Sequence, residues 1–173
     1  MNKISFLLLG GVLAIGISAC GVAKTSSEAP NTTAENNANL DKSTAQTNQD
    51  DATSETRRKQ LNSDIRAAEQ RSKATGENAS TKSDNDLRSQ VRSKLEANLP
   101  ASALAIDAEE GAVIVSGTVI SESQLNKIEP LAREISGVKS VEVKATVNAN
   151  AKPSPPAPGT SDNLEDHTSK NKN

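Results

Sequence analysis

The sequence predicts an α+β fold: a small two-layer domain over residues 83–149, ordered α-β-β-α-β, with two helices on one face of a three-stranded sheet. Disordered segments are expected on either side. Three observations carry this prediction. Val113, Val115, Gly117 and Val119, and later Val141, Val143, Ala145 and Val147, sit at every second position, the period of half-buried strands. Leu87, Val91 and Leu95, then Leu125, Ile128, Ala132 and Ile135, recur at helical spacing. From Gly21 to about Thr53, and again from residue 150, large apolar residues are scarce, so little burial is available to offset the entropy of ordering.

The elements follow in order. Ser83 is placed to N-cap the first helix, with Asp86 three residues on completing a capping-box pattern. Leu99 continues the apolar stripe and Pro100 stops it. Leu104 and Ile106 alternate with small or polar residues as a short strand, and Ala108–Ala112 supplies a turn in which Gly111 is free to take positive φ. In the next strand Ile114, Ser116 and Thr118 face away from the valines, and a side chain at Gly117 is expected to collide with a packed helix. Ser121 and Gln124 repeat the capping pattern; Pro130 removes one amide donor from the second helix, and Gly137 suits its C′ position. Glu142, Lys144 and Thr146 face away from the valines of the last strand. Each element has one apolar side, so two helices covering one sheet face is the economical packing. Pattern alone does not say which edge of the hairpin receives the last strand. About 65 residues is close to the lower limit for an independent core.

Two stretches carry a family resemblance. "GAVIVSGTV" (Gly111 to Val119) and "SGVKSVEVKATV" (Ser136 to Val147) resemble the BON domain, named for bacterial osmotically induced and nodulation proteins, in both order and spacing. Pro130 departs from the simplest form of the pattern, and this chain has one whole copy where many members have two. The resemblance implies a non-enzymatic envelope protein that binds a phospholipid surface or another envelope component. Some relatives are linked to osmotic or outer-membrane stress, and one related architecture senses potassium. No ligand motif common to the family is visible, so no ligand-binding residue is carried over.

The N-terminal region reads as an export signal over residues 1–19. Lys3 precedes the apolar run Ile4 to Ile17, which is shorter than the ~20 residues that cross a bilayer. Ile17-Ser18-Ala19-Cys20 resembles the bacterial lipobox, which implies cleavage before Cys20, diacylglycerol on its sulfur and further acylation of the new amino terminus. Gly21 in place of Asp favours outer-membrane delivery where the host has one. Cys20 is the only cysteine and His167 the only histidine, so a disulfide, a zinc site or a Cys/His catalytic pair has almost no partner. Residues 20–82 read as a lipidated, disordered tether, which as a flexible chain would reach ~45 Å. Within it, 54–76 is a basic segment with Leu61, Ile65 and Ala68 at helical spacing: either an amphipathic helix lying on anionic headgroups or a transient solvated helix. "LNSDIR" (Leu61 to Arg66) resembles "LRSQVR" (Leu87 to Arg92), at most a helix-only repeat. Residues 150–173 contain "KPSPPAPG" and read as a Pro-rich disordered tail.

Composition narrows the function. The chain has 20 basic and 22 acidic residues, and loss of Lys3 leaves 19 against 22, no footprint for nucleic acid. Phe6 is the only aromatic residue, which removes base or sugar stacking. Arg88, Arg92 and Lys94 are the candidate contacts for phospholipid headgroups, although they also suit a solvated rim, and Asp84 to Lys144 holds ten acids against seven bases. The alternative is a small-ligand or cation site at Asp107, Glu109 and Glu110, with oxygen ligands suited to a hard cation. No catalytic residue, metal site or cofactor is expected. The expected partners are a membrane through the anchor, and anionic phospholipid or an envelope protein.

Overall fold

The computed structural model describes residues 21–36, 38–76 and 82–154. The expected signal segment, Cys20, and the tail from residue 155 lie outside the described residues. The class is α+β: four α-helices and a mixed sheet. In chain order the elements are β1 (Ala23–Lys24), α1 (Lys42–Thr53), α2 (Glu55–Ala74), α3 (Asp84–Asn98), β2 (Ala103–Glu109), β3 (Ala112–Val119), α4 (Glu122–Arg133), β4 (Ser140–Val143) and β5 (Thr146–Val147), then a 3-10 turn at Ala149–Ala151.

The helix boundaries follow the capping residues. Ser83 Oγ accepts the Asp86 amide at 3.2 Å, and Asp86 in turn accepts the Ser83 hydroxyl, so α3 starts where its first orphan donor is satisfied. Ser121 Oγ accepts the Gln124 amide and starts α4, which then runs through Pro130 to Arg133. At the hairpin, Glu110 (φ 49°) and Gly111 (φ 90°) form a two-residue turn with both central residues left-handed, the geometry that matches strand twist. Chain order and the α4 crossover put β4 parallel to β3, from Ala112↔Ser140 to Val115↔Val143. Strand β5 keeps that register at Thr118↔Thr146, so β4 and β5 are one strand line interrupted at Lys144–Ala145.

Helices α3 and α4 cover one sheet face, as the pattern predicts. Leu87, Val91, Leu95 and Ile128 meet Leu104, Ile106, Val115 and Val119 in one buried cluster. A fully buried Leu or Val contributes roughly 1.5–3 kcal/mol, so this layer supplies most of the driving force. Gly117 is needed for a reason other than the expected one. Its φ is +117°, and a Cβ there would lie 2.1 Å from the Ala103 carbonyl oxygen. The close neighbour is the adjacent strand's backbone, not a helix.

The expected tether is the main correction. From Gly21 the chain is bound to the domain. Strand β1 pairs antiparallel with β2 (Ala23↔Ile106, Lys24↔Ala105), and Thr25 exchanges hydrogen bonds with Leu104 in both directions at 2.9 Å. The chain then crosses the second sheet face, where Ala38 N–H donates to Thr118 Oγ1 and Ala29, Leu40 and Ala45 are buried against Ala101 and Ala103. Helix α1, capped by Asp41, follows; the Thr44 amide holds the Asp41 carboxyl below its usual range. Helix α2 is ordered over its full length and packs antiparallel on α3 through Leu61 and Ala68. The physical reason is size. The buried residues here are mostly alanines, which hydropathy patterning passes over, and they fit a sheet face made of Ala103, Ala105, Ser116 and Thr118. Among the described residues the sheet thus adds β1 to the three expected strands, the last of which is split into β4 and β5.

Gly117→Ala should destabilise the fold by about 3 kcal/mol or more, since strained φ and a backbone clash act together; urea unfolding of the chain from Gly21 checks this. A fragment starting at Ser83 should unfold at lower urea than the chain from Gly21, because it strips the small-residue face of its cover.

Candidate functional site

The cations of α3 do not point to solvent. Arg88 lies on the side of α3 that faces the chain entry and is only 6% exposed. Its Nη1 donates to the Gly21 carbonyl at 2.6 Å, Nη2 donates to Asn85 Oδ1 at 3.0 Å, and Nε lies 3.6 Å from Asp107 Oδ1. A guanidinium can do this because its donors are held in a planar fork that reaches several acceptors at once. One side chain thus ties α3, β2 and the start of the described chain together.

Arg92 enters a second network, between α2 and α3. It donates to Glu96 at 2.7 Å and to Asp64 at 3.3 Å, while Arg57 donates to the other Glu96 oxygen at 2.5 Å. Glu96 is 3% exposed, so its carboxylate sits between two guanidiniums in place of water. The hydrogen bond to Glu96 pushes the Arg57 guanidinium further above its usual range. Lys94 bridges to Glu134 at 2.5 Å and joins α3 to the end of α4. All three residues expected at a headgroup surface are therefore engaged within the protein, and Arg88 is buried. Their positions beside the apolar stripe place them at interfaces with β2, α2 and α4.

The expected cation site is not assembled either. Asp107 is turned toward Arg88, whose positive charge disfavours a second cation. The Glu110 amide donates to Asp84 Oδ1 at 2.8 Å and its carbonyl accepts Lys139 Nζ at 2.9 Å, while Glu109 is exposed. These acids line a shallow depression with Ala108, Ala112 and Ile114. Among the described residues no three His, Cys, Asp or Glu side chains come together as metal ligands.

Exposed cations occur along α2, and singly at Lys42, Lys127, Arg133, Lys139 and Lys152. Arg58, Lys59, Arg66 and Lys73 are exposed; Lys59, Arg66 and Lys73 lie on the side away from Leu61, Ala68 and Ser72, shared with Glu55, and Arg58 and Glu69 lie at its margins. Arg66 and Lys73, seven residues apart, stand in one stripe, with Arg58 beside it. The basic character of 54–76 was legible in the sequence, but not which of its cations were taken. Arg57 and Arg71 pair with Glu96 and Asp86. Helix α2 packs on α3 and buries Leu61 and Ala68, so its outer side is polar and charged. Among the described residues no helix is long and apolar enough to cross a membrane.

Glu96→Ala should cost about 3 kcal/mol, because it strands two guanidiniums at a packed interface. Urea unfolding measures this, and Glu96→Ala with Arg57→Ala should cost less than the sum of the two single changes.

No curated protein and no solved structure matches the chain. The BON domain family model matches residues 83–149. BON domains are a non-catalytic binding family associated with membranes or phospholipid. The matched span covers α3 through β5, that is, two helices and the strands β2 to β5, without β1. A BON domain occupies residues 83–149 of this chain.

Proposed function

We propose that this chain is an extracytoplasmic bacterial lipoprotein whose BON domain is held directly against the membrane carrying its lipid. The outer membrane is the membrane of choice where the host has one, and the role is in envelope integrity or stress tolerance. One observation carries the reading: the residue after Cys20 is already fixed to the domain, with the Gly21 carbonyl on Arg88 and Ala23 in the sheet. From Cys20 to Ala23 an extended chain covers ~10 Å at ~3.3 Å per residue. Acyl chains on Cys20 would therefore keep the β1 edge of the sheet near headgroup level, instead of releasing the domain to the ~45 Å range of a flexible tether. Stable anchoring takes more than one acyl chain, which the lipobox chemistry provides.

The exposed stripe of α2 supplies the charge for anionic phospholipid. Four cations against Glu55 and Glu69 make this helix face net positive, although the domain it rests on carries more acids than bases. Attraction of that size is weak in free solution. Anchoring would raise the local concentration enough for a weak contact to be occupied.

Fatty-acid labelling of cells should mark the wild-type chain and leave Cys20→Ala unlabelled as a mislocalised precursor. An unlabelled mature wild-type protein in the soluble envelope fraction contradicts the anchor. Without lipid, the chain from Gly21 should bind phosphatidylglycerol vesicles weakly, with affinity falling as salt rises. Replacing Arg58, Arg66 and Lys73 together with Ala should weaken this at least tenfold, at about 1 kcal/mol per basic residue. Equal binding to phosphatidylcholine vesicles would remove the electrostatic part of the reading.

A further inference from the structure

We propose that the outer edge of the β4–β5 strand line pairs antiparallel with the same edge of a second copy of this chain, about a two-fold axis at Val143. The two edges of the sheet are treated differently. The β2 edge is capped by β1, whereas β4 has β3 as its one neighbour and, among the described residues, no strand on its other side.

Hydrogen-bond direction restricts the register to those that oppose odd-numbered residues. Lys144 N–H donates to the Val115 carbonyl at 2.8 Å and Asn148 N–H to Val119 at 2.8 Å, so the even-numbered residues of this line turn their backbone groups toward β3. Alternation along a strand then directs the N–H and C=O groups of Val141, Val143 and Ala145 to the open edge. Antiparallel pairing about Val143 sets Val143 opposite Val143 and Val141 opposite Ala145, all residues with edge-directed groups. A shift by one residue would oppose residues whose groups already serve β3.

Charge selects the same register. It places Glu142 of each copy opposite Lys144 of the other, in the non-hydrogen-bonded positions where side chains approach most closely. Within one chain these two side chains point to the same sheet face, with Lys144 Nζ 3.5 Å from Glu142 Oε1, and both are partly exposed. Each would gain a partner of opposite sign. On the helix side, Val143 and Ala145 line a shallow groove with Leu125 and Pro130, which the partner's equivalent residues would close. The contact uses the same patch on both copies and so closes as a dimer. It lies at the opposite edge from β1, where the chain enters the domain, and does not depend on the lipid anchor.

Sedimentation of the chain from Gly21 across a concentration series tests the pairing. The wild type should form a monomer–dimer equilibrium. Glu142→Lys alone, or Lys144→Glu alone, opposes like charges twice and should weaken the dimer about tenfold. Mixing the two variants should restore it as a heterodimer, because every cross-strand pair is again of opposite sign. Unchanged far-ultraviolet dichroism would separate loss of pairing from loss of fold. A wild type that stays monomeric throughout overturns the proposal, as does a dimer indifferent to both reversals. A monomer that dimerises only after removal of residues 155–173 also overturns it, in favour of the chain's own tail on this edge.

Discussion

β2 and β3 pair without a break from Ala103↔Thr118 to Glu109↔Ala112, and the two faces of that hairpin differ in size. On one side stand Leu104, Ile106, Val113, Val115 and Val119; on the other, Ala103, Ala105, Ser116 and Thr118. The large side needs partners that bring bulky side chains of their own, which α3 and α4 do. The small side leaves room for a close-lying chain of turns and bends: Ala29 and Leu40 are buried there, the Ala38 N–H donates to Thr118 Oγ1 and Ser116 Oγ donates to the Thr32 carbonyl. Gly117 belongs to this constraint, since its missing Cβ lets the Ala103 carbonyl come close.

Ion pairs, with the buried Glu96 in one of them, then set the register of α2 on α3. Arg57 with Glu96, Asp64 with Arg92, and Arg71 with Asp86 run in opposite directions along α2 and α3, so a slip of either helix would break all three pairs. Such pairs repay little of their own desolvation. Their effect is on alignment: α2 carries a narrow apolar stripe of Leu61 and Ala68, which by itself would tolerate several registers. Arg88 acts similarly at the other side of α3, where it accommodates both a carbonyl and a carboxylate and so fixes the point at which the chain joins the sheet.

The two sheet edges divide the functional possibilities. An exposed strand edge is a template for pairing, and proteins normally cap it, charge it or use it. Here the β2 edge is capped by the first described residues of the chain, so the same backbone bonds that protect it also hold those residues to the domain. The β4 edge carries one charge of each sign and no cap among the described residues. One edge of the sheet is thus committed to the chain's own N-terminal residues, and the other has no strand beside it among the described residues.

What the sequence by itself determined is local. Ser83 and Ser121 cap their helices, the leucine and valine stripes choose the covered face, and Gly111 makes the hairpin turn, each through groups within a few residues of one another. The BON domain was legible for the same reason, because its motifs are a turn and two strand alternations. The N-terminal cover left a fainter trace. Ala103 and Ala105 sit on the face opposite Leu104 and Ile106, so β2 is apolar on both sides and needs cover on both. Tertiary structure alone decided which edge receives the last strand, because Val141–Val147 presents the same alternation to either. It alone also decided the fate of the cations. Arg57 meets Glu96 across 39 residues and Arg88 meets Gly21 across 67, and at such separations an arginine on the rim of a helix reads the same whether its partner will be water or a buried carboxylate.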